Sequence, residues 1–408
     1  MTKKQILGKW KELKKQLVSE GIEADDIIKA LKELYSVYET SLLEWLGNLF
    51  DSDIGGFYYS NSASESDGFF PDIESTGQAI GILESSGAIG SYKDIPETVR
   101  TKIACFICSC EDPESGYFYN PQWSREDTDK KISRRSRDSR WAVDIAEMCN
   151  FEVPYPTVFS KIENGYHGNL PDYLKDKKSF SDFLNSLNTK KELHKSIHTV
   201  FSQYDQIFKL GYTDIAFDFI EGLRNSETNL FGNSNTNKIA TMKILRTVTC
   251  FYYFAKRKMP YTKEVADFAL ECIASPEYND MAYMSACWDA LAKSVVMLSE
   301  YDGATGRKTA KEIIKNNIHI LPEYIRFTSE KLRKFKKQDG SFSYNASGFS
   351  RSSQGMIVAK EGCFEGDVNG TTLAVLIPSS IITFLSLKDN SIPLYDFNDF
   401  EVFIKNVK

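Results

Sequence analysis

GGFYYSN, residues 55–61, decides the fold because it returns along the chain. SGYFYN (115–120), NGYHGN (164–169), TNLFGN (228–233) and DGSFSYN (339–345) repeat its order: a small or turn-forming residue, an aromatic, an asparagine. A degenerate PEYND (276–280) fills the remaining gap, and the copies begin 60, 49, 64, 48 and 63 residues apart. That period holds two helices and two connections. Units of this size cannot bury their apolar faces alone and must pack on their neighbours.

Between the turns the periodicity is helical. Ile28, Leu31, Tyr35, Tyr38, Leu42, Trp45 and Leu49 keep three-and-four spacing, as do Ile95, Val99, Ile103, Phe106 and Cys110. Further helices are expected at about 73–86, 133–149, 190–210, 213–223, 237–257, 262–274, 281–300, 308–336 and 370–387. Strand-like alternation is scarce, so the class is all-α. Residues 171–190, PDYLKDKKSFSDFLNSLNTK, read as a polar surface excursion.

The two ends of the repeat series match each other best. Asp72-Ile-Glu-Ser-Thr-Gly-Gln-Ala79 aligns with Asp367-Val-Asn-Gly-Thr-Thr-Leu-Ala374. Solenoid end repeats are atypical caps, whereas first and last hairpins are neighbours in a closed ring. The expected architecture is therefore an α/α toroid of about six hairpins with an added N-terminal helical pair. No linker rich in Pro or Gly divides residues 1–408, which read as one domain. Its parts are an extension (1–50), the hairpin repeats (51–390) and a tail (391–408).

Among 408 residues, 42% are hydrophobic, 26% charged and 13% aromatic, enough for a core and an aromatic-lined cavity. A net charge of −6 argues against a broad nucleic-acid footprint, so any anion site must be local. No signal-peptide pattern is read at the start, and no window approaches the roughly 18 apolar residues of a membrane span. Eight cysteines read as reduced thiols, and a cytoplasmic location is expected. No cofactor or metal is expected. His194 and His198 lack a third ligand, and Cys105, Cys108 and Cys110 lie in an apolar helical run. Oligomeric state is not legible here.

A glycine-aromatic turn followed by an acidic helix start, as in GGFYYSN…PDIESTGQAIGIL and DGSFSYN…EGDVNGTTLAVL, resembles the repeats of the terpenoid-cyclase and protein-prenyltransferase superfamily. That resemblance implies the α/α-toroid fold. Asp72-Ile73-Glu74-Ser75-Thr76 resembles the Asp-x-Asp-Asp-Thr motif of class II terpene cyclases, with Glu74 at the proton-donor position and Ser75 replacing the third acid. Cys363 has no histidine partner placed as in the zinc site of protein prenyltransferases. Other toroids of this shape, polysaccharide lyases and hydrolases of unsaturated uronyl oligosaccharides among them, act on sugars through an acidic residue beside aromatic platforms.

Two readings stand for each candidate residue. Asp72, Glu74 and Asp367 are either catalytic carboxylates converging where the end repeats meet, or helix caps and first-turn acids. Tyr58, Tyr59, Trp123 and Tyr344 either stack on a sugar or plug their own hairpins. Arg134 and Arg137, within KKISRRSRDSR (130–140), either hold an anion or form a solvated or ion-paired face. His167 is a lone histidine in a repeated turn, read as a substrate contact. The leading expectation is an enzyme using carboxylate acid–base chemistry as a glycoside hydrolase or lyase on an acidic carbohydrate. The alternatives are isoprenoid cyclisation and a non-catalytic binding toroid.

Overall fold

The computed structural model describes residues 1–166, 170–232, 237–348, 350–387 and 391–407; His167 lies outside them. Twenty α-helices and two tiny hairpins make up the regular structure of the described residues. Helices α1 (Lys3–Ser19), α2 (Ala24–Tyr35) and α3 (Ser41–Asn48) precede the first turn, with its strands β1 (Phe50–Asp51) and β2 (Gly56–Phe57). Then come α4 (Asn61–Ser64), α5 (Ile73–Ser85), α6 (Glu97–Ser109), α7 (Arg125–Lys130), α8 (Ile132–Cys149) and α9 (Val158–Glu163). The middle holds α10 (Lys177–Ser186), α11 (Leu193–Phe201), α12 (Tyr204–Lys209), α13 (Thr213–Glu221), α14 (Lys238–Phe254), α15 (Thr262–Ala274) and α16 (Met281–Tyr301). The chain ends with α17 (Gly303–Asn317), α18 (Leu321–Phe335), β3 (Ser352–Ser353), β4 (Met356–Ile357), α19 (Val368–Ser386) and α20 (Phe400–Asn406).

The repeated turn has one local design. Phe57, Phe118, Phe231 and Phe342 each close a short antiparallel bridge, to Phe50, Glu111, Arg224 and Lys336 respectively. All four rings are buried. In three copies an Asx residue six positions earlier sets the loop: Asp51, Asp112 and Asn225 accept backbone N–H groups from two or three residues on. The residue four positions after that Asx, Gly55, Gly116 or Asn229, has positive φ, where glycine and asparagine are tolerated best. A hydroxyl in the following helix then takes the phenylalanine N–H: Thr76 for Phe57, Ser139 for Phe118 and Thr371 for Phe342, at 3.0–3.1 Å. The threonine shared by the two end motifs is thus a tie between turn and helix.

The long helices pack in a cyclic order. α5 lies on α8, α8 on α11, α11 on α14, α14 on α16, α16 on α19, and α19 back on α5. Gly77 makes the α5–α8 contact close, since a Cβ there would meet the Trp141 ring at 2.4 Å. At the α19–α5 seam, Val368 N–H donates to the Tyr59 carbonyl at 3.0 Å and Glu365 accepts from Ser60 and Ser62. The N-terminal helices pack against the chain's last elements, α2 on α18 and α3 on α20.

Some expected boundaries differ. The segment at 190–210 divides into α11 and α12, and 308–336 into α17 and α18, where Pro322 stands at the helix start. Within residues 171–190, α10 forms and buries Phe180 and Leu184. One helix among the described residues, α19, is long and apolar enough to cross a membrane, and it is largely buried within the protein.

Candidate functional site

Asp72 and Asp367 are both N-caps. Asp72 accepts from Ser75 N–H at 2.8 Å at the start of α5, and Asp367 from Gly370 N–H at 2.7 Å at the start of α19. Extended backbone at both positions aims the carboxyl back over the first turn. Asp367 also takes Tyr344 N–H at 3.0 Å. Burial pushes its carboxyl up to about 6 against these backbone donors.

α8 brings Arg134 to the same place. Its guanidinium has 0% of its surface exposed and reaches three carboxylates: Asp72 at 2.9 Å, Glu74 at 3.0 Å and Asp138 at 2.9 Å. The Trp123 ring lies 4.6 Å away against its face. Glu74 is held further by Arg137, Gln78 and Ser353, the last donating at 3.0 Å from the β3–β4 hairpin. Burial would raise the Glu74 carboxyl, but Arg137 and then Arg134 win and hold it below the usual range. Asp138 goes the other way: burial outweighs Arg134 and lifts it to about 7, with Asp72 and Glu74 adding repulsion. One Asp138 oxygen accepts from Asn120 at 2.6 Å, while the other has no partner.

Of the carboxylates singled out in the sequence, Asp72 and Glu74 come together on Arg134, in a knot closed to solvent. Asp72, Glu74 and Asp367 are all buried. Asp72 and Glu74 bracket one arginine, whereas Asp367 has backbone donors instead. The aromatics divide. Tyr59 is buried, Tyr58 donates to Asp51 at 2.9 Å, and Tyr344 and Trp123 are half-buried. Arg137 keeps 26% of its side chain open beside Glu74.

A second cluster has no counterpart in the sequence reading. On α14 and α16, Asp289 is shared by two cations, Arg246 at 3.0 Å and Lys293 on the next turn of its own helix. Arg246 is 31% exposed and Lys293 21% exposed. Cys250 Sγ also lies 3.5 Å from Asp289. Burial opposes ionisation of Asp289, yet Lys293 and Arg246 pull its carboxyl far below the ordinary range. From α11, His198 faces the field of Arg137 and Arg246; burial first, then Arg137, depress it to about 3, so its imidazole is neutral at physiological pH. The Tyr344 phenol lies in the field of Arg246 and Arg137, with its pKa raised by burial. The i,i+4 pairs Arg246–Cys250 and Asp289–Lys293 are visible in the sequence, but nothing in their local pattern sets them apart from any charged helix face.

The arrangement can hold an anion and can move a proton through a neutral imidazole or a protonated phenol. No His/Cys/Asp/Glu group suited to a metal ion occurs among the described residues. No family model matches the chain, and comparisons with curated proteins and with solved structures return no match.

Proposed function

We propose that the chain is an α/α toroid, related in fold to the superfamily its end repeats resemble, and that its Arg246–Asp289–Lys293 cluster binds an acidic carbohydrate for cleavage as a glycoside hydrolase or lyase. The cyclic packing of α5, α8, α11, α14, α16 and α19 supports the ring. One observation carries the ligand class: Asp289 is outnumbered by Arg246 and Lys293, both partly open to water. Two cations against one carboxylate leave a positive charge for a ligand carboxylate, and guanidinium binds that group in a fixed geometry. Arg137, 26% open beside Glu74, adds a second donor.

Proton transfer in this reading falls to groups in the field of Arg137 and Arg246. Tyr344 stays protonated and can donate; His198 stays neutral and can accept. Glu74 enters as an anion that orients Arg137. Isoprenoid cyclisation calls for a dry aromatic cavity around one carboxyl with few other charges, and Arg137, Arg246 and Lys293 weigh against it. Binding without turnover is a second reading, favoured by the capped and paired state of Asp72, Glu74 and Asp367. Eight free thiols fit a cytoplasmic setting.

Calorimetry with an oligouronate and its carboxyl-reduced counterpart tests the ligand class. The uronate should bind, and R246M should weaken it at least ~10-fold, about 1.4 kcal/mol. Equal affinity for the neutral analogue would sink the proposal. Ultraviolet absorbance of an unsaturated product marks a lyase, new reducing ends alone mark a hydrolase, and binding with neither marks the non-catalytic reading.

A further inference from the structure

On the α15–α16 pair, two thiols line one small cavity. Cys272 and Cys287 line a space of about 10 Å³ together with Tyr283, Trp288, Thr328 and Lys331. That is room for about one water-sized molecule. Both cysteines are buried. Lys331 is buried too, its ammonium spanning the end of α15 through the carbonyls of Ile273 at 3.4 Å and Ser275 at 2.5 Å.

We propose that Cys272 and Cys287 form a peroxide-sensitive thiol pair that closes to a disulfide between α15 and α16. Burial raises the Cys287 thiol well above its ordinary value. Lys331 sits close enough to act electrostatically on Cys287. Either thiol can be the attacking sulfur; with Cys272 first, its thiolate is the nucleophile. It displaces hydroxide from hydrogen peroxide, forming the S–O bond of a sulfenic acid as the O–O bond breaks. Cys287 then attacks the Cys272 sulfur and loses its proton; the S–S bond forms and the S–O bond breaks, releasing the second oxygen as water. Two thiols are oxidised and one peroxide is reduced to two waters. The small cavity fits a peroxide better than a bulky disulfide oxidant, and Cys105, exposed on α6, provides an internal control.

The full-length protein is titrated with hydrogen peroxide, remaining thiols are alkylated, and peptides are mapped by mass spectrometry. The expected result is a Cys272–Cys287 cross-linked peptide, absent from C272S and C287S, with a raised thermal midpoint that reductant reverses. K331M should slow cross-linking while K331R retains it. Oxidation of Cys105 with both Cys272 and Cys287 still alkylated, or Cys272 over-oxidised while Cys287 stays free, would overturn the proposal.

Discussion

Arg134 and Arg246 are both arginines on the cyclically packed helices, and their surroundings are opposite. Arg134 has no exposed surface and three carboxylates; Arg246 is about a third open and shares one carboxylate with Lys293. An excess of acid around a buried cation makes a closed knot whose charges are used up internally. An excess of base around a buried acid, open on one side, leaves charge for something else. Burial and charge balance together, more than residue type, separate the two.

Three changes test that contrast. The largest effect is expected from R134M, which strands Asp72 and Asp138 without a cation while Glu74 keeps only Arg137. Removing one partner from a buried ionic cluster costs ~3–5 kcal/mol, read by urea unfolding. A loss under about 1 kcal/mol would place the knot among weak surface pairs.

Next is the pH response of Asp138. Its folded value of about 7 exceeds the ordinary 3.8, so between these values the folded protein holds a proton that the unfolded chain releases. This contribution is fully present at low pH and is lost as pH rises through about 7. D138N should flatten the fall in stability between those limits. An unchanged slope would remove Asp138 as its source.

The smallest stability effect is expected from K293M. Asp289 keeps Arg246, and Lys293 is partly solvated, so the cost should stay below about 1 kcal/mol. A loss as large as that of R134M would erase the distinction between the clusters.

The capping roles of Asp72 and Asp367 were legible, because an N-cap is local chemistry written within four residues. So were the copies of the repeated turn at Phe57, Phe118, Phe231 and Phe342, although the Asx residues at 51, 112 and 225 that set three of them lie just outside the quoted motifs. The pairing of Glu74 was not legible. Arg134 lies 60 positions away and Ser353 lies 279 away. The Arg246–Asp289 pair spans 43 positions and two helices.

The sequence by itself determined the helical class, the hairpin period and the kinship of the first and last units, all consequences of backbone propensity and short-range hydrogen bonding. Only the tertiary structure decided which charges are closed and which remain open. Desolvation and charge pairing depend on what packs across the helices from each side chain, and no local pattern encodes that.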